Sequence, residues 1–160
     1  MKLLTQTFAT CLFILSSLLL DTNSASAHEI IIGKLVIHHP WIRQPIGSAT
    51  VASGYTKIDN TGTEDDTLIK ATIEGITTVQ FHTMKMDGDT MKMRELTDGI
   101  VIPPGKSVEM KPKDLHMMMS GLKSAFMEGE EVKGTLTFAK AGTVAVDYEV
   151  VAPDGDAHAH

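Results

Sequence analysis

The stretch TVQFHTMKMDGDTMKMRE, residues 78 to 95, decides the reading of the fold. Two runs of strand-forming residues flank Asp87-Gly88-Asp89, which is a hairpin signal. Side chains alternate faces along a strand. His82, Met84 and Met86 therefore share one face and leave Phe81, Thr83 and Lys85 on the other. Across the turn, Met91 and Met93 share a face, with Lys92 and Arg94 opposite. A two-residue turn at Asp87-Gly88 sets His82 opposite Met93 and Met84 opposite Met91, whereas a four-residue loop sets Met84 opposite Met93. Both registers leave His82, Met84, Met91 and Met93 on one surface, with opposed Cβ atoms roughly 5 Å apart.

Working outward, the same kind of signal recurs along the chain. Ile30-Ile31-Ile32 and Leu35-Val36-Ile37 are separated by Gly33, and Val51 to Asp59 ends at Asn60-Thr61-Gly62. Thr67 to Ile73 follows, then Ile100-Val101-Ile102 before Pro103-Pro104-Gly105, a type II turn sequence with glycine where φ must be positive. Ser107 to Met110, Leu115 to Met119, Glu131 to Ala139 and Thr143 to Val151 complete the set. Short strands with regular turn signals predict an all-β sandwich or barrel. Neither an internal repeat nor a dividing linker is visible, so residues 28–152 are expected to form one domain.

The first 27 residues read differently. Lys2 provides a positive start, Phe8 to Leu20 is an apolar run, and Ala25-Ser26-Ala27 is a small-residue cleavage site. This is the pattern of a secretory signal peptide, and the run falls short of the roughly 20 residues that span a bilayer. Cys11 lies inside the run without a lipobox before it, so a lipid anchor is not expected. Cleavage after Ala27 would remove the single cysteine and leave 133 residues, His28 to His160, with no disulfide and no thiolate ligand. The expected location is the periplasm, as a soluble exported protein without stable membrane insertion. Residues 153–160 form a short polar tail containing His158 and His160.

The formal charge is −6, and loss of Lys2 and Asp21 leaves it unchanged. There is no basic stripe, which argues against nucleic acid as a partner. No Gly-x-Ser-x-Gly elbow, Ser-His-Asp spacing or phosphate-cradling loop is present, so the chain is not expected to be an enzyme.

Nine of the ten methionines fall between Met84 and Met127, with His82 and His116 in or beside that run. The spacing is His82-x10-Met93-x22-His116-x-Met118. Thioethers and imidazoles suit a soft ion such as Cu(I) better than Zn(II) or Mg(II). The imidazoles must be neutral to bind, so affinity should fall below a pH of roughly 6.5. The absence of cysteine disfavours a blue-copper electron-transfer centre and favours carriage of the ion. Methionine is also a flexible core filler. Met117 and Met119, which point away from His116 and Met118, are expected to pack, as are Met110 and Met127.

Several segments resemble the PCuAC family of periplasmic copper chaperones. They are Val79-Gln80-Phe81-His82-Thr83-Met84, Met91-Lys92-Met93-Arg94, Ile102-Pro103-Pro104-Gly105 and Leu115-His116-Met117-Met118-Met119-Ser120-Gly121-Leu122. His39-Pro40-Trp41-Ile42-Arg43 and Gly54-Tyr55-Thr56-Lys57-Ile58-Asp59-Asn60 match earlier segments of the family. The resemblance implies a cupredoxin-like, Greek-key β-sandwich that binds Cu(I) through His82, Met93, His116 and Met118. The long gap is one residue longer here than is usual in the family, so Met84 and Met91 stand as alternate thioethers. It also implies a copper-accepting partner, such as a cytochrome c oxidase subunit receiving copper for its CuA centre, or another copper chaperone. A copper buffer that only sequesters is the alternative. Two further sites are weaker. His158 and His160 form a loose pair for Cu(II), and His28, as a new N-terminus, could chelate Cu(II) as in copper oxygenases. His38 and His39 are expected to be structural, at a strand end before Pro40.

Overall fold

The structure is a computed structural model that describes residues 29–155. The expected signal peptide, His28, His158 and His160 lie outside the described residues. Within them every regular element is a strand, as expected for the all-β class: β1 (Glu29–Ile32), β2 (Leu35–Arg43), β3 (Val51–Asn60), β4 (Asp66–Ile73), β5 (Thr78–Asp87), β6 (Thr90–Glu95), β7 (Ile100–Ile102), β8 (Ser107–Glu109), β9 (His116–Ser120), β10 (Glu131–Phe138) and β11 (Gly142–Val151). The segments read from the sequence coincide with these strands to within a residue or two, except that the segment expected at Leu35 to Ile37 continues through Pro40 to Arg43 as β2.

The strands run in the order β6-β5-β9-β3-β2-β11-β10-β4-β7, with β1 beside β2 and β8 beside β3. Neighbours are antiparallel except β11 and β2, which are parallel through Glu149↔Trp41 to Val151↔Arg43. β2 exchanges partners along one edge: Leu35 to His38 pair with β1, and Trp41 to Arg43 pair with β11. The exchange happens at a bulge between His38 and Trp41, where His39 adopts φ 43. Pro40 is tolerated there because a bulge needs no ladder hydrogen bond from it. The two histidines are thus structural, but in the middle of a strand rather than at its end. His38 Nε2 lies 2.9 Å from Asp59 and its Nδ1 3.2 Å from Glu29, while His39 Nε2 lies 3.1 Å from Glu149.

The path folds over on itself, and the two halves meet face to face. Tyr148 on β11 donates its hydroxyl to Met117 Sδ on β9 at 3.8 Å, which fixes the contact between the layers. The same core buries Ile37, Ile42 and Ile58 from β2 and β3 and Leu68, Leu136 and Phe138 from β4 and β10, each almost fully. Met117 and Met119 are fully buried and Met110 nearly so, as expected. Each such side chain contributes about 1.5–3 kcal/mol relative to leaving it exposed. Gly54 on β3 opposes Met117, and a Cβ there would lie 2.2 Å from Met119 Cε, so the missing side chain is the space into which methionine packs. Met127 departs from expectation. It sits in the β9–β10 connection, 62% exposed, because that loop passes over the surface rather than under the sandwich.

Burial of Asp66 is offset by backbone donors. Its Oδ1 accepts from the amides of Thr67 (2.7 Å) and Lys140 (2.9 Å), and its Oδ2 accepts from Ala141 (2.9 Å). This ties the start of β4 to the β10–β11 turn.

Candidate metal centre

The centre is built on the outer face of the β3-β9-β5-β6 portion of the sheet. β9 and β5 pair antiparallel with His82↔His116, Gln80↔Met118 and Phe81↔Met117. Alternation then sends Met117, Met119 and Phe81 into the core and leaves His116, Met118 and His82 on the opposite face. β3 adds Ser53 beside Met118 on that face.

The hairpin register resolves the choice left by the sequence. Met84 opposes Met93, Met86 opposes Met91, and His82 opposes Glu95. The turn itself has two residues, Gly88-Asp89, rather than the two-residue Asp87-Gly88 turn or a four-residue loop. Gly88 takes φ 63 at the first loop position, the backbone pattern of a type II′ hairpin turn. Lys92 pairs with Asp87 and bridges the two strands beside the turn.

His82 and His116 bring their rings edge to face, with centroids 5.9 Å apart. His116 is buried and its Nδ1 donates to the Asp114 carbonyl at 2.9 Å. That hydrogen bond orients the ring and leaves the Nε2 lone pair available, the usual arrangement behind a ligating imidazole. His82 is half-buried, yet both of its ring nitrogens are shielded from solvent without a protein partner. A buried polar atom normally has a partner. Burial pushes the His82 pKa below its ordinary value, the nearby His116 pushes the same way, and Glu95 pulls it back up. The ring is therefore held in the neutral form that a metal requires.

Met93, His116 and Met118 line one open cavity of about 320 Å³, together with Arg43, Pro45 and Val51. Met93 is 46% exposed, whereas Met118 is half-buried. The structure thus brings the four expected ligand residues onto one surface: the two histidines in ring contact, and three of the four around one cavity. Met84 is half-buried beside Met93, and Met91 lies one rung farther from His82. Among the described residues no group of three or more His, Cys, Asp or Glu side chains is placed to hold a metal, so any ion held here depends on thioethers.

Two contributors went unseen in the sequence. Arg43 borders the cavity with its guanidinium 5.7 Å from the Trp41 ring centre and 5.9 Å from that of Tyr55, and it donates to the Gly155 carbonyl at 3.3 Å. Its alternation along His39-Pro40-Trp41-Ile42-Arg43 was a usable signal, hidden by the bulge. The Asp114 carbonyl that orients His116 is a backbone atom, for which side-chain patterns give no signal.

Comparison with known proteins agrees with this architecture. Residues 35–150 match the family of LpqE-like lipoproteins. Lxx21020 of Leifsonia xyli subsp. xyli (strain CTCB07), described as a lipoprotein, is 28% identical over 106 residues. That match covers 66% of this chain and 63% of the relative, so the chain spans less than two thirds of that protein's length. The copper-bound PCuAC domain from PmoF2 is 32% identical, with a TM-score of 0.68 over 79% of this chain and 99% of that domain. The apo PCuAC domain from PmoF1 is 28% identical, with a TM-score of 0.68 over 79% of this chain and 100% of that domain. The cupredoxin-like β-sandwich is the fold they share with it. By the extent of these matches, the chain belongs to the LpqE-like family and is a member of the PCuAC domain family.

Proposed function

We propose that this chain is an exported, periplasmic Cu(I) carrier that holds one ion through His82, Met93, His116 and Met118 and passes it to a copper-accepting protein. The observation that carries this reading is His82: a neutral imidazole whose two nitrogens are buried and unpartnered, in ring contact with His116 on the face that bears Met93 and Met118. A metal ion supplies the missing partner. Two imidazoles and two thioethers are all neutral donors, and the soft thioethers favour Cu(I) over harder divalent ions. The copper-bound relative supports the choice of metal.

Carriage rather than catalysis fits the setting. The cavity is open, its rim residues Met93 and Val51 are exposed, and a partner can approach the ion from solvent. The proposed destination is the CuA centre of cytochrome c oxidase. A buffer would share the site and differ only in exchange, so transfer from the loaded chain to an apo CuA domain separates the two. His158 and His160 remain a proposed second site for Cu(II).

The site is tested by the double variant Met93→Ala, His116→Ala. Its anaerobic Cu(I) stoichiometry should fall from one to none in competition with a Cu(I) chelator, while the far-UV spectrum stays that of a β-sandwich. Undiminished binding in that variant would falsify the ligand assignment.

A further inference from the structure

The hairpin carries more thioethers than the main centre uses. β5 pairs with β9 only from Thr78 to His82. Beyond that point, from Thr83 to Asp87, its ladder continues with β6 alone. The outer half of the hairpin is therefore a two-stranded ribbon. On its metal-facing side it presents two successive rungs, Met84↔Met93 and Met86↔Met91. Met86 is 61% exposed and Met91 43% exposed. Burying a methionine is worth about 1.5–3 kcal/mol, and this pair gains little of it, so core packing does not explain the two residues.

We infer that the Met86–Met91 pair is a second, weaker site for a soft monovalent cation, Cu(I) or Ag(I), through which the ion enters and leaves the main centre. The inference rests on the thioether chemistry proposed for that centre. Directly opposed residues hold their Cβ atoms about 4.5–5.5 Å apart. Each methionine has three rotatable bonds, so two opposed sulfurs can close on one ion. The next rung, Met84↔Met93, lies two residues inward along the strand, about 6.6 Å away, and the rung after it contains His82. An ion can thus move from the ribbon to the imidazoles by exchanging one thioether at a time. Lys85, Lys92 and Arg94 occupy the reverse side of the ribbon, so the donors on the Met86–Met91 rung are all neutral sulfur. Hard divalent ions gain nothing from such a pair. Because thioethers do not titrate, binding there is independent of pH, unlike binding at the histidines.

The test uses the full mature chain with ¹³C-labelled methionine ε-methyls, titrated with Ag(I). The first equivalent should shift Met93 and Met118, and a second, weaker equivalent should shift Met86 and Met91. Met86→Leu with Met91→Leu should abolish the second event, leave the first unchanged, and slow release of Cu(I) to a chelator. Methyl groups of Met86 and Met91 that stay unmoved to saturation overturn the proposal, as does a second event that persists in the double leucine variant. Failure of the main-centre reading looks different: Met93 and Met118 stay unmoved at the first equivalent. The second event should also survive at about pH 5, because a thioether sulfur has no proton to compete with the ion. Its disappearance there would assign it to imidazole and overturn the proposal too.

Discussion

Met117 and Met86 are the same residue on neighbouring strands of one sheet, in opposite circumstances. Met117 is fully buried and accepts a hydrogen bond from Tyr148 across the sandwich. Met86 stands 61% exposed on a ribbon beyond the end of β9. Strand alternation assigns each to its face: Met117 to the face packed against the opposite layer, and Met86 to the face that bears His82. Methionine abundance in this chain therefore has two separate origins. Inward, a flexible side chain fills the space that Gly54 leaves open. Outward, sulfur is available for ligation.

The largest effect expected from this contrast is on stability. Met117→Ala should destabilise the fold by about 2–5 kcal/mol, because it removes buried volume and leaves a cavity. Met86→Ala should stay within about 0.5 kcal/mol of the parent. Urea unfolding of the metal-free chain measures both, and equal losses would erase the distinction. A finer comparison uses leucine at the two core positions. Met119→Leu is nearly volume-conserving and should cost less than about 1.5 kcal/mol. Met117→Leu should cost about 1–3 kcal/mol more, since the Tyr148 hydroxyl is left buried without an acceptor. Burial already pushes the Tyr148 phenol well above its ordinary pKa, so the group cannot escape by ionising. Identical costs at the two positions would mean that the sulfur contact carries no weight.

The smallest effect is on pH dependence. His82 has its pKa lowered in the folded chain, mainly by burial, so the unfolded chain takes up a proton near pH 6.5 that the folded chain refuses. Stability of the apo protein should therefore decline as pH falls through and below that value. Unfolding free energies at about pH 7.5 and about pH 5.5 should differ more in the parent than in His82→Ala. An unchanged difference in the variant would place the responsible group elsewhere.

Much of this was legible in the residues themselves. Strand positions, the buried faces of Met110, Met117 and Met119, and the shared surface of His82, Met84, Met91 and Met93 all follow from alternation and turn chemistry. The exact hairpin register did not, because Asp87-Gly88-Asp89 offers two adjacent two-residue turns and only the folded sheet selects Gly88-Asp89. The pairing of His82 with His116 joins residues far apart in sequence, and no local pattern encodes which strands become neighbours. Met127 was misplaced because an apolar residue in a connection has no periodicity to say whether its loop is covered.

The parallel pairing of β11 with β2 has a consequence for the order of events as the chain is made. All strands of the candidate metal face, β3, β5, β6 and β9, lie between residues 51 and 120, so their pairings can be sampled before β10 and β11 exist. Closure cannot. The second half of β2 must wait for Glu149 to Val151, more than 100 residues later, before its outer edge is satisfied. Such distant pairings make folding slow. For the proposed export that delay is useful, since the sheet cannot close before β11 is available.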